Sequence, residues 1–412
     1  MNRADDQSGM PQTEAPHLTD SVYPDTESEA IPLLKELILA KILTSGPLSF
    51  EEFMSLALYH EPGGYYTRPD TLRVGRDGDF FTSVSVGPAF GMILAQRIIA
   101  IWEQNDKPSP FTIVEPGPEE GQLSSDILHA ILENSPECYQ ALTYHLIEPF
   151  QSKHPSLCSK LSVPDPEKVQ IHSDYKTIPS SFGIVIANEI FDALPVHLLE
   201  LKKGYWHECL VDAQRNDFTW ATRPCQNEHL LNTLSPFTPL LPEGYKTEVC
   251  LGYEPLLTSL SSSIERGVLL LVDYGFSSPD YYHPNRTTGT LQSYKKHRAT
   301  DSPLSQPGEQ DLTTHVDFSR LLNESQKLNL HPSGFYTQES YLTSLAAPLL
   351  TKENSPFSQN PKLIQQFRTL THPSMLGGRF HVLELSQGSV SARPVSPSGQ
   401  SGLEYLKKTE ST

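Results

Sequence analysis

Four short apolar runs constrain this chain more than any other feature: Phe111–Glu115, Tyr144–Ile147, Gly183–Ala187 and Gly267–Val272. None alternates polar with apolar, as a strand with one wet face would. Helix-like stretches separate them. One spans Pro88 to about Glu103 through Phe90, Ile93, Leu94, Ile98 and Trp102; another carries Leu123, Ile127, Leu128 and Ile131. Strands buried on both faces and spaced by helices predict an α/β, doubly wound parallel sheet.

Upstream, Leu33, Leu34, Leu37, Ile38 and Leu43 fall near helical spacing. Ser49 and Glu52 form an S-x-x-E capping box that opens a second helix, which must stop before Pro62-Gly63-Gly64. Residues 1–29 read as a disordered leader, 30–386 as one domain and 387–412 as a polar tail. Two insertions interrupt the domain. Residues 198–260 hold aromatic and β-branched patches and read as β-rich; residues 276–315 are polar and read as a long loop or lid. Arg379–Leu385 alternates as a late strand. The 35 prolines fit many loops.

With 37% hydrophobic and 19% charged residues, the composition is globular rather than disordered. A net charge of −18 argues against a general nucleic-acid binder, which would carry a basic face. Cys138, Cys158, Cys209, Cys225 and Cys250 form no C-x-x-C pair, which speaks against a disulfide framework and a zinc ribbon. No run is long enough to span a bilayer, and the acidic N-terminus resembles neither a signal peptide nor an arginine-rich transit peptide. A cytoplasmic protein is the expectation. The 15 histidines show no H-x-x-x-H pair with a supporting carboxylate, so no metal is expected, and no G-x-S-x-G elbow is present.

Ligands of doubly wound sheets sit at the carboxyl ends of the strands. The first end, Val114-Glu115-Pro116-Gly117-Pro118-Glu119-Glu120-Gly121, suits a nucleotide-cofactor loop and equally an ordinary β–α turn. At the second, Glu148 can accept hydrogen bonds from a ribose diol or serve as a solvated charge at a helix start. Glu115 and Glu148 lie 33 residues apart (148 minus 115), and G-x-G-x-x-G is absent; both disfavour a nicotinamide cofactor. At the third, Asn188, Glu189 and Asp192 crowd the end of an apolar strand, where they bind a ligand or cap the next helix. The fourth is Asp273-Tyr274-Gly275. Gly78 and Asp79 belong to a turn that closes over a cofactor or is a plain hairpin. His315 and Asp317 follow the long polar segment as further candidates.

Taken together, these segments resemble the MidA-type methyltransferases, whose mitochondrial members are complex I assembly factors that dimethylate an arginine. The resemblance runs through Leu48–Tyr66, Gly75–Gly91, Val114–Leu123, Ala187–Val196, Val272–Gly275, Gly289–Tyr294 and His297–Phe318, in the family's order. It implies a seven-stranded, Rossmann-like class I sheet whose last strand is antiparallel, and S-adenosyl-L-methionine as cofactor. It implies cofactor contacts from Glu115, Gly117, Gly121 and Glu148, with Gly78, Asp79 and Asn188 nearby. One position departs: the family loop has a glycine where this chain has Glu119. In a left-handed backbone that glutamate would cost about 1–2 kcal/mol.

The implied reaction moves a methyl group to an arginine of a protein substrate. Two cations must then meet, and carboxylates must hold the guanidinium. Glu189 and Asp192 are the candidates for that clamp, and His315 or Asp317 for receiving the released proton. Two other classes remain at this stage. One is a non-catalytic binding protein on a methyltransferase fold; the other is a nicotinamide-dependent oxidoreductase.

Overall fold

The computed structural model describes residues 27–68, 82–295, 298–300, 302–353 and 355–407. Two helices lead the chain: α1 (Glu27–Ser45) and α2 (Phe50–Tyr59). The expected capping box opens α2: Ser49 Oγ accepts from Glu52 N at 3.1 Å, and Glu52 Oε2 accepts from Ser49 N at 3.0 Å. Helix α1 begins inside the stretch read as a leader; the rest of that stretch lies outside the described residues.

The central elements follow in order: α3 (Ala89–Gln104), β1 (Phe111–Pro116), α4 (Gln122–Asn134), β2 (Leu142–Ile147), β3 (Val169–His172) and β4 (Phe182–Asn188). The chain continues through α5 (Tyr253–Ser262), β5 (Arg266–Phe276), α6 (Phe318–Lys327), β6 (His331–Thr337), α7 (Gln338–Thr351), α8 (Pro361–Thr371) and β7 (Phe380–Gln387). The strands lie side by side as β6-β7-β5-β4-β1-β2-β3. β1 to β5 are mutually parallel, while β7 runs antiparallel between β5 and β6. The short strand Val316–Asp317 pairs in parallel with the end of β5, at Gly275 and Phe276. The order reverses direction between β1 and β4, which is where such sheets bind ligands.

The four apolar runs do not alternate because both faces of the sheet are dry. Phe111, Ile113, Ile184, Ile186, Leu270 and Val272 pack toward α3, α4, α7 and α8. Val114, Val185, Ala187, Leu269 and Leu271 pack toward α2, α5 and α6. Within the first layer, Arg97 of α3 forks onto Glu384 of β7, with Nε–Oε1 2.8 Å and Nη2–Oε2 2.7 Å; the two side chains are 3% and 0% exposed. Tyr341 OH donates to the same carboxylate at 2.6 Å. A buried charge is tolerable only with such pairing.

Three expectations need correction. β3 and β6 were not visible in the sequence: β3 is a four-residue edge strand, and β6 carries Pro332 and a bulge before Gly334. The segment 276–315 is not simply a loop, because Gln292–Lys295 pairs with Asp311–Thr313 and Arg298–Ala299 in a small sheet. The polar tail contains α9 (Ser398–Lys407), whose Leu403 and Leu406 are buried. Its apolar residues are too few and too spread to mark a helix against the polar background. The β-rich insertion is present as His197–Lys202, Tyr205–Gln214, Asp217–Pro224 and Lys246–Val249, joined at one edge by Leu48–Ser49.

Candidate functional site

A cavity of about 1210 Å³ opens over the carboxyl ends of β1, β2, β4 and β5. At the end of β1 the backbone turns three times into the left-handed region, at Gly117 (φ 61°), Glu119 (φ 48°) and Gly121 (φ 73°). A Cβ on Gly117 would lie 2.7 Å from Ile190 Cδ1, and one on Gly121 would lie 2.4 Å from Leu161 Cδ2. The sequence put glycine at two of the three turns and glutamate at the other.

Glu115 closes β1 with its carboxyl shut from water. Tyr144 OH donates to its Oε2 at 2.7 Å, yet burial outweighs this and, with Asp126 adding, pushes its pKa up to about 8. Glu148 is also buried, and it is already engaged: Lys153 Nζ lies 2.6 Å from Oε2, and Phe150 N donates to Oε1 at 3.1 Å. A carboxylate has about four acceptor positions, so capacity for a diol remains. Asn188 donates to Glu189 Oε1 at 3.3 Å, while its own Oδ1 is buried with no partner among the described residues. An unpartnered buried acceptor suits an incoming N–H donor.

These features fit S-adenosyl-L-methionine chemically. Gly117 lines the cavity and lets the backbone come close, Glu148 offers acceptors, and Asn188 Oδ1 offers one more; Gly121 turns the chain against Leu161 and does not line the cavity. Gly78 and Asp79 lie outside the described residues. Of the stretch expected to close over the cofactor, Thr82 is described and lines the cavity.

On the other side three carboxyl groups converge. Glu189, half-buried and held at φ 53°, accepts only long bonds, from Ser83 N and Asn188 Nδ2, each at 3.3 Å. Burial, then Asp192, pushes its pKa up to about 8. Asp192 is buried, accepts Tyr274 OH at 2.6 Å, and is pushed up to about 6 by burial. Asp273 is buried and accepts Phe191 N at 3.0 Å, Asp192 N at 3.2 Å and Tyr274 N at 2.9 Å. Burial and the adjacent Asp192 hold it well above the usual carboxylate range. Among the described residues no lysine, arginine or histidine forms an ion pair with any of the three. Three carboxyl groups without a counter-ion make a place where a cation is favoured.

His315 stands beside them. Its ring stacks on Phe276 (4.9 Å, 5°) and meets Tyr274 edge-on (5.0 Å). Nδ1 is buried and has no hydrogen-bond partner among the described residues. Burial, then Arg286 and Arg379, pulls its pKa down to about 4, so the imidazole is neutral. Asp317 does not share this position. Its carboxylate caps α6 through Arg320 N at 3.1 Å and accepts Ser278 Oγ at 2.7 Å, so it is spent on structure.

Several cavity residues escaped the sequence reading. Tyr59 and Tyr66 stack at 5.5 Å; Tyr66 OH donates to Asp311 Oδ1 at 2.9 Å, and Tyr59 OH to Ala193 O at 2.9 Å. Gln292 and Tyr294 line the same wall. All stand in segments that carry the family resemblance, the one signal that could have found them.

Residues 93–336 match a family described as S-adenosyl-L-methionine-dependent methyltransferase. The chain is 30% identical to the mitochondrial protein arginine methyltransferase NDUFAF7 homolog of Drosophila melanogaster, over 93% of this chain and 92% of that one. It is 31% identical to mitochondrial protein arginine methyltransferase NDUFAF7 of Danio rerio, over 84% and 85%. A COG1565 superfamily protein of Burkholderia thailandensis, crystallised with S-adenosyl-homocysteine, shares the fold with a TM-score of 0.81 at 24% identity, covering 92% of this chain and 98% of that one. The mitochondrial relatives overturn the cytoplasmic expectation. Unpaired cysteines fit a reducing compartment without telling one such compartment from another.

Proposed function

The chain belongs to the S-adenosyl-L-methionine-dependent methyltransferase family, and from that premise we propose that its acceptor is the guanidinium of an arginine in a protein substrate. The observation that carries this is the group of three carboxyls, Glu189, Asp192 and Asp273, that have no counter-ion among the described residues. The names of the relatives point the same way. The place of work is the mitochondrion, with complex I assembly as the process that the resemblance implies.

S-adenosyl-L-methionine, when bound, supplies a methyl group on a positive sulfonium. Gly117 would let the backbone come close to it, Glu148 would accept from its diol, and Asn188 Oδ1 would accept from its ammonium. Glu115, a neutral acid at pH 7, donates or accepts with Tyr144 behind it. Asp192, held by Tyr274 OH, and Glu189 take the two edges of the guanidinium fork. Tyr59 and Tyr66 offer ring faces to the planar cation. A guanidinium nitrogen that gains a methyl must lose a proton. His315, neutral and with Nδ1 unpartnered, accepts it.

The test offers the protein S-adenosyl-L-methionine and a capped Gly-Arg-Gly peptide at millimolar concentration, with methylation located by mass spectrometry. Methylarginine is the expected product, and Asp192→Asn should abolish most of it. Transfer to another residue type in a mixed peptide set, with arginine untouched, would overturn the guanidinium reading and leave the enzyme class standing.

A further inference from the structure

Glu248 lies on Lys246–Val249 in the β-rich insertion and is 2% exposed. It does not line the cavity, yet its carboxylate reaches into the wall that does. Oε1 accepts Thr290 N at 2.9 Å and Leu291 N at 3.0 Å; Oε2 accepts Thr290 Oγ1 at 3.1 Å and Tyr281 OH at 3.2 Å. Gly289 makes the approach possible. It sits at φ 75°, and a Cβ there would lie 2.1 Å from Oε1.

Two cavity-facing parts hang from this bond set. Leu291 leads directly into Gln292–Lys295, where Gln292 pairs with Thr313 and Tyr294 with Asp311, bringing all four to the cavity wall. Thr290 Oγ1, while donating to Glu248, accepts the backbone N–H of His315 at 3.1 Å. One carboxylate therefore fixes both the strand beside the acceptor and the main chain of the histidine.

We infer that Glu248 is a positioning residue for methyl transfer: through Thr290 it holds His315 and the Gln292–Tyr294 wall against the acceptor, and so makes the insertion part of the active site. The inference rests on the acceptor lying on that side of the cavity. Two backbone N–H groups and two hydroxyls point at one carboxylate, so no neutral side chain satisfies them all. Glu248→Gln turns one acceptor oxygen into a donor that faces donors.

The test combines kinetics with a signal that needs no acceptor. With the Gly-Arg-Gly peptide as probe, Glu248→Gln should raise the peptide KM and lower kcat, together about tenfold or more in kcat/KM. Affinity for S-adenosyl-L-methionine, measured by calorimetry, should stay within about twofold. Gly289→Ala should reproduce the effect, and the double variant should lose little beyond either single one. Should Glu248→Gln fail to fold, Thr290→Val carries the test, with Thr290→Ser as the conservative rescue. Cofactor affinity falling as far as peptide KM rises, or additive losses in the double variant, would overturn the inference. If wild-type protein ignores the peptide, the arginine reading fails on its own. The ring resonances of His315, followed with histidine-selective labelling, then decide for Glu248: they should move in Thr290→Val and stay in Thr290→Ser, and their indifference to both would sink it.

Discussion

Glu384 lies in the middle of β7 and Asp192 just beyond the end of β4, and both carboxyl groups are shut away from water. Glu384 meets a guanidinium on two edges and a tyrosine hydroxyl besides. Asp192 meets one hydroxyl, and its neighbours Glu189 and Asp273 carry the same sign. The core position shows what this fold supplies when a buried charge serves stability. The strand-end position lacks that supply, and its carboxyls rise toward neutrality instead, to about 6 for Asp192 and about 8 for Glu189. A guanidinium entering the cavity would meet there the kind of carboxylate that Arg97 has met in the core.

The comparison breaks most sharply at Arg97. Arg97→Met leaves Glu384 buried and unpaired, and should cost about 3–5 kcal/mol in urea unfolding. Adding Glu384→Leu should recover most of that, because a matched apolar pair replaces a matched ionic one. Methyl transfer per folded molecule should hardly change in either variant. A loss below 1 kcal/mol for Arg97→Met would mean that water or another cation reaches Glu384.

Asp192→Asn should behave in the opposite way. Removing a carboxyl from a cluster that has no counter-ion among the described residues relieves repulsion, so stability should hold or rise slightly. Methyl transfer should drop about a hundredfold, roughly 2.7 kcal/mol of transition-state stabilisation. Unchanged turnover with a Gly-Arg-Gly peptide would remove Asp192 from the site.

Glu115 sharpens the contrast through pH. Its folded carboxyl titrates at about 8, and the unfolded one near 4.3. The folded state therefore holds the extra proton between those values, so stability falls as pH rises through that window. The slope is about 1.4 kcal/mol per pH unit for one full proton. Glu115→Gln keeps the acceptor for Tyr144 and removes the titration, so urea midpoints from pH 5 to pH 9 should fall less steeply than in wild type. Parallel curves would show that Glu115 is ionised in the folded protein.

What the sequence disclosed follows the same division. β1, β2, β4 and β5 were legible because burial on two faces leaves no polar residues to blur an apolar run. The polar groups at their ends were legible because nothing in a buried strand calls for Glu115, Asn188 or Asp192. β3 and β6 were not, since an edge strand is half wet and tolerates Pro332. Tyr59, Tyr66 and Gln292 reach the cavity by tertiary contact alone. Tyr66, seven residues beyond the end of α2 (66 minus 59), reads as core until the pairing of Gln292–Lys295 with Asp311–Thr313 sets Asp311 against it. That pairing depends on Glu248, a residue on another sheet, and no local pattern announces such a bond.

Glu119 gives the smallest effect and the finest distinction. Like Glu189 it is a glutamate held in the left-handed region, at φ 48° against 53°. The sequence left open the sign of the missing glycine's effect on cofactor affinity. The folded loop holds φ positive at Glu119, so the strain is assigned to folding rather than to binding. Glu119→Gly should relieve about 1–2 kcal/mol of strain and lose about 0.5–1 kcal/mol to the freer unfolded chain, a net gain under about 1.5 kcal/mol in urea unfolding. Calorimetric affinity for S-adenosyl-L-methionine should change less than about threefold. A tenfold tighter complex with no gain in stability would reverse the assignment: the loop would then have to adopt a different backbone around its ligand, and Glu119 would be resisting that change.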